Sequence, residues 1–284
     1  MNKFTILLFT LLFTTVSFSQ EVKAYKIYNS KGKEVSYRKM IKKLNKKDIV
    51  LFGEFHNNPI SHWLEYEVTV SLDKKNDLIL GAEMFEADNQ KPLTQYLNGE
   101  VTAKGLDTLA RLWKNYKTDY KPLVDYAKDN KIKFIATNIP RRFANKVYKQ
   151  GFGVLDTMTD LQKSWMAPLP MKYDSTLKTY VDIKKMMGDH GSSTLVMAQS
   201  TKDATMAHFI LKNYKKDSLF IHYNGAFHTN YYEGIVWYLK QERIDLEYGT
   251  ITTVSQKNIN KLLEENKGKA DFIICVDEDM TTTY

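Results

Sequence analysis

Apolar residues along the chain follow two rhythms. Short unbroken runs occur at Asp48 to Phe52, Leu78 to Leu80, Ile132 to Ala136 and Leu219 to Tyr223. Apolar runs without alternation predict strands covered on both faces, as in a parallel sheet. Tyr248 to Val254 and Phe272 to Val276 are weaker strand candidates. Between the runs the spacing turns helical. Asn58-Pro59 combines a capping side chain with proline at the first helical position. Ile60, Trp63, Leu64 and Val68 then recur on one helical face. Further helices are expected from Pro140 to Gly151, from Thr194 to Tyr214 and from Tyr231 to Leu239. The alternation predicts an α/β fold with a mainly parallel central sheet flanked by helices.

Two stretches fit this alternation poorly. Residues 87–118 look helical with few apolar anchors, and residues 155–192 carry Met166, Met171, Met186 and Met187 without a strand signal. Both are expected as helical insertions that form a smaller cap over one end of the sheet, with mobile surface helices as the alternative. No low-complexity linker divides the chain, so residues 21–284 are expected to form a single domain.

Composition narrows the classes. Lys plus Arg is 41 against 33 for Asp plus Glu, a formal charge of +8, but no dense basic block stands out. That argues against nucleic acid as a partner. The one cysteine, Cys275, excludes an internal disulfide framework and a multi-cysteine zinc site. Lys3, the apolar run Phe4 to Phe13 and the small residues before Gln20 predict a signal peptide over residues 1–20. The alternative is an uncleaved anchor. The chain is therefore expected to be exported, periplasmic or associated with the cell surface. No cysteine near residue 20 allows lipoprotein acylation there. No later run reaches the roughly 18 apolar residues of a transmembrane segment.

The chemistry concentrates in a short repeat. Gly53-Glu54-Phe55-His56 follows the first strand and Gly225-Ala226-Phe227-His228 the fourth, while Glu83 ends the second. Parallel sheets place ligand sites at this carboxyl edge. Two carboxylates and two imidazoles can hold a divalent metal or carry general acid–base chemistry. Alternatively, the acids cap helices and the backbone satisfies the histidines. Asn138 follows the third strand, and Arg141 and Arg142 open the next helix, a pattern that suits an anion. The arginines pairing with surface acids is the alternative. Gln199, Asp203 and Met206 share a face of the long helix, which either partners the strand-end cluster or faces solvent. Among the remaining histidines, His62 is expected in solvent and His222 in the core. Tyr116 and Tyr120 flank a turn before the third strand, where a phenolate can serve as a hard oxygen ligand or the rings can simply pack.

Together the segments Phe52 to His56, Gly81 to Phe85, Tyr120 to Leu123 and Ala136 to Arg141 resemble the ChaN family. So do Gln199, Asp203, Met206-Ala207 and Gly225 to His228, so the similarity runs through residues 45–240. The resemblance implies a parallel-sheet α/β domain with a smaller helical part. It also implies an iron-regulated protein that holds haem between two subunits with tyrosine and histidine, making Tyr116 and Tyr120 the haem-binding candidates. The related Tiki and TraB proteins share paired Gly-x-x-His motifs with an intervening glutamate, and Tiki members are linked to metal-dependent proteolysis. This implies Glu54, His56, Glu83 and His228 as a metal or catalytic set. Many ChaN proteins are lipoproteins, a feature this chain lacks.

Three function classes follow. The first is an exported haem- and iron-binding protein of iron acquisition, working as a homodimer with outer-membrane uptake machinery. The second is a metal-dependent hydrolase built on the Glu/His cluster. The third is a non-catalytic scaffold that binds a protein through its methionine-rich cap.

Overall fold

The computed structural model describes residues 23–284. The expected signal peptide lies outside them. Among the described residues, seven strands form one sheet: β1 (Tyr25–Asn29), β2 (Ile49–Glu54), β3 (Asp77–Glu86), β4 (Lys133–Asn138), β5 (Ser218–Gly225), β6 (Tyr248–Gln256) and β7 (Phe272–Asp277). Their order is β1-β7-β6-β2-β5-β3-β4. Every neighbouring pair is parallel except β1 with β7. The expected α/β class with a mainly parallel sheet is what the chain adopts.

The apolar runs lack alternation because both faces are covered. Val50 and Phe52 point to a core shared with α1 (Tyr37–Leu44), α2 (Pro59–Asp73), α3 (Gln90–Leu97), α4 (Ala103–Leu109) and α5 (Lys121–Asp129). Ile49 and Leu51 point to the other face. There they meet Met206 and Ile210 from a helix at Ser193–Asn213, and Ile235 and Leu239 from one at Ile235–Glu242. Successive strand residues alternate between these two cores.

A third apolar cluster lies beside the sheet. Phe143 and Val147 come from α6 (Arg141–Gln150), and Leu155, Met158 and Met166 from the chain around α7 (Asp160–Lys163). With α8 (Lys178–Met186) this region forms a small helical layer against α9, the helix at Ser193–Asn213. Residues 87–118 do not join that layer. Leu93, Tyr96, Leu106 and Tyr116 pack into the same core as β2 and β3, because these scattered anchors meet a large continuous apolar face there. The last helix, α10, starts at Ile235 rather than Tyr231. Tyr231, Tyr232 and Gly234 have φ of 61°, 62° and 54°, which no continuous right-handed helix allows. Among the described residues no helix is long and apolar enough to cross a membrane.

Candidate functional site

Strands β2, β5 and β3 are adjacent, so their carboxyl ends open on one crevice. Glu54 pairs in register with Gly225, and Ala82 with Tyr223. Glu54, Glu83 and the turn after Gly225 therefore meet. The chain then enters α2, where the Asn58 side chain accepts from the Ser61 amide at 2.9 Å. This cap sets the helix so that His62 and Glu65, one turn apart, both face inward and are buried.

One half of the site surrounds Glu54. Its Oε1 accepts from His56 Nδ1 at 2.5 Å and from the Tyr120 hydroxyl at 2.7 Å. Its Oε2 stands 3.3 Å from His62 Nδ1, and Glu65 Oε2 lies 3.2 Å from that same nitrogen. On its other side His62 Nε2 donates to the His56 carbonyl at 3.1 Å, with Asp119 Oδ2 at 3.4 Å. Burial alone would raise the Glu54 carboxyl, but the hydrogen bond from His56 and the nearby His62 imidazolium outweigh it and hold the group well below the usual carboxylate range. Burial, then the Glu54 charge, drive Glu65 the other way. Burial opposes charge on His62, yet its two acids lift it to about 11.

The other half surrounds Glu83. Its Oε2 accepts from the Gly225 amide at 2.8 Å, and its Oε1 faces His228 Nε2 at 3.1 Å. His228 Nδ1 donates to Asp203, whose other oxygen accepts from the Tyr180 hydroxyl at 2.7 Å. The Gln199 amide stands 3.0 Å from His228 Nδ1. Burial penalises the imidazolium, but Glu83 and Asp203 lift His228 to about 9. Burial is the largest single influence and raises Glu83, but the charge and hydrogen bond of His228 together with the His56 charge outweigh it, so its carboxyl sits well below the usual range.

The two halves join at Gly225. A Cβ built there would lie 2.7 Å from His56 Nε2 and 3.5 Å from Glu83 Oε2, so only glycine lets the ring come this close. His56 and His228 both act on the Glu83 charge. His56, with its side chain 33% exposed, is the member that reaches solvent. Gly225→Ala is expected to fold, because the atom it strikes is a ring tip that can swing away. The swing separates His56 from Glu83, so the imidazole should titrate at lower pH than in the parent. Histidine NMR titration reads this, and an unchanged midpoint would contradict the close approach.

The structure thus brings Glu54, His56, Glu83 and His228 together and sets Gln199 and Asp203 behind them. Asn138 donates to the Glu83 carbonyl at 3.0 Å and steadies that strand end. The arginines do not form an open anion site. Arg142 pairs with Asp88 at 2.6 Å, and the Arg141 amide bonds the Glu86 carboxylate, so the protein's own acids occupy the helix start. Tyr120 joins the Glu54 cluster, while Tyr116 packs edge-on to Phe85. Both phenols are buried and burial raises both, which disfavours either as a phenolate ligand to a surface-bound group. His62 is not solvated but 6% exposed. Helical spacing alone missed it, although Asn58-Pro59 phases His62 and Glu65 onto the inward face. Asp119 and Tyr180 carried no motif, and only the tertiary fold places them.

Comparison with known proteins follows the same lines. The profile of the family described as "Haem-binding uptake, Tiki superfamily, ChaN" matches residues 40–239. The solved structure of ChaN from Campylobacter jejuni, titled for cofacial haem binding, superposes with a TM-score of 0.65 at 20% identity, covering 90% of this chain and 98% of that one. A Bacillus cereus protein shares the fold with a TM-score of 0.51 at 11% identity, over 89% of this chain and 95% of that one. Among curated proteins, Arabidopsis thaliana RETICULATA-RELATED 5, described as chloroplastic, is 29% identical over 122 residues. That match covers 40% of this chain and only 17% of the length of that relative.

Proposed function

Because the chain belongs to the ChaN family of the Tiki superfamily, we propose that it binds haem in its helical layer and serves iron acquisition. A slot of about 710 Å³ between α8 and the start of α9 carries this reading. Haem is flat and apolar, with two propionates and, when ferric, an affinity for hard oxygen ligands. Val181, Val196 and Met197 give the slot an apolar wall, and Lys184 and Lys185 stand at its side. The half-buried phenol of Tyr173 completes the donor set that a ferric haem needs. These residues fit the group. Tyr173 would hold the iron, the apolar wall the macrocycle and the lysines the propionates. Bound haem supplies a ferric centre, and the chain's own work is to bind and shield it. Burial, then Asp174, raise the Tyr173 phenol, so the free phenol holds its proton and would have to give it up to serve as a ligand. Binding then releases a proton and strengthens as pH rises.

The rest of the proposal follows from the family and the leader. The slot opens on one side, which favours a second copy closing over the exposed haem face. Export through residues 1–20 would deliver the protein to outer-membrane iron-uptake machinery. Hydrolysis is the second reading, favoured by the shared cleft of Glu54, His56, Glu83 and His228. It ranks lower because neighbouring imidazoles hold both Glu54 and Glu83 well below the usual range, which makes them weak bases. Haemin titration tests the first reading. A shifted Soret band at one haem per chain, with tighter binding at pH 8 than at pH 6, is expected. No shift with micromolar haemin would put hydrolysis ahead.

A further inference from the structure

We propose that Glu54, His62 and Glu65 form a binding site for a first-row divalent cation, separate from the haem slot. One ligand atom from each residue lies within 4.8 Å of the others, and all three side chains are buried. The orientation of His62 is set from behind. Its Nε2 faces the His56 carbonyl at 3.1 Å and Asp119 at 3.4 Å. Asp119 is itself held by Asn115 Nδ2 at 2.6 Å and by the Thr283 hydroxyl at 2.8 Å. Such a second layer fixes the ring of a metal-bound histidine and leaves the opposite nitrogen for the ion. Here that nitrogen is Nδ1, and it looks at two carboxylates.

Two further observations point to a cation here. Glu54 Oε2 and Glu65 Oε1 are buried and have no hydrogen-bond partner. Buried polar atoms of this kind call for an explanation, an ion among them. The spacing around Nδ1 also fits. Its distances to the two carboxylates are 3.3 Å and 3.2 Å. A tetrahedral ion with bonds of about 2.0–2.1 Å separates its ligand atoms by about 3.3–3.4 Å. A charge-assisted hydrogen bond would draw the pair to about 2.7–2.9 Å. The second oxygen of Glu65 is free to complete the shell. Imidazole with carboxylates and no sulfur suits zinc, manganese or ferrous iron.

This set differs from the Glu54, His56, Glu83 and His228 group that the motifs suggest. In that group Glu83 is committed to the Gly225 amide and His228 to Asp203. The ion would tie the carboxyl end of β2 to the first turns of α2 and so position Glu54, on which His56 depends.

The test uses the full exported chain, stripped by dialysis against a chelator. Zinc binding is followed by calorimetry, and cobalt(II) binding by visible absorption. One equivalent per chain is expected, with a cobalt spectrum of nitrogen and oxygen ligation and no thiolate charge-transfer band. Glu65→Gln and His62→Gln should each weaken binding by about a hundredfold or more, since even outer-layer changes cost 10–100-fold. Glu83→Gln should bind as the parent does. Elemental analysis of the untreated parent and its melting shift on zinc addition keep the proposal testable if a variant fails to fold. Absence of binding at micromolar zinc, leaving a shared proton as the only occupant, would overturn it. So would loss in Glu83→Gln with retention in Glu65→Gln. Haemin binding is read separately, so failure here leaves the haem proposal standing.

Discussion

Asp203→Ala is expected to lower the unfolding free energy by about 3–5 kcal/mol, the usual cost of stripping one partner from a buried ion pair. The substitution removes the acceptor of both His228 and the Tyr180 hydroxyl. All three groups lie in the interior, so water cannot replace the lost bonds. For a domain with total stability of about 5–15 kcal/mol this is a large share. Urea unfolding reads it as a lower midpoint with an unchanged slope. Asp203→Asn keeps an acceptor for Tyr180 and should lose less.

The same pair gives the parent a pH signature. His228 rises from an ordinary value of 6.5 to about 9 when folded. A raised imidazole stabilises fully below the unfolded value and loses that contribution as pH climbs through the folded one. The parent should therefore lose on the order of 2–3 kcal/mol between pH 6.5 and 9, at about 1.4 kcal/mol per unit. The low Glu54 and Glu83 act in the opposite sense, and their contribution disappears in acid. Asp203→Ala should flatten the alkaline limb. A variant that matches the parent in both midpoint and pH profile would show that Asp203 does not hold His228.

The second large effect concerns haem. Tyr173→Phe keeps the ring against Phe152, to which it packs at 5.1 Å, and removes the oxygen. Loss of an iron ligand should weaken haemin binding by at least about tenfold, the lower bound for changes around a metal centre, and move the Soret maximum. The pH dependence should go with it, because no phenol proton remains to be displaced. Lys184→Ala with Lys185→Ala should weaken binding but leave the Soret position alone, since in the proposed pose these side chains would meet the propionates rather than the iron. Tyr120→Phe should leave the spectrum unchanged, as its hydroxyl is spent on Glu54. Spectral titration of the four proteins separates these roles. A Soret shift in Tyr120→Phe but not in Tyr173→Phe would transfer the ligand to the buried tyrosine.

Much of the sheet was legible because a strand buried on both faces must be apolar throughout. The runs ending at Phe52, Leu80, Ala136 and Tyr223 all became strands, and Asn58-Pro59 and Gly151 bounded helices where expected. Strand β1 was not legible, since Tyr25 to Asn29 is an antiparallel edge with polar positions. The strand-end quartet was legible because glycine turns announce where a chain can approach a ligand closely. His62 and Glu65 were harder to find. Buried polar residues on an otherwise apolar helix face read as solvent-facing until the partners across the fold, Glu54 and Asp119, are known. That the rings of Tyr116 and Tyr120 lie in the core was not legible either, because burial is a tertiary property. The arginines at the start of α6 failed similarly, because Asp88 and Glu86 lie more than fifty residues away in sequence.

The most direct test of the central claim is the crystal structure of the chain grown with haemin, with the iron located by its anomalous signal. The account predicts one iron peak per chain, within bonding distance of the Tyr173 hydroxyl and flanked by Lys184 and Lys185. A peak in the strand-end crevice beside His56, or in the groove of α9 and α10 that His208 borders, would contradict it.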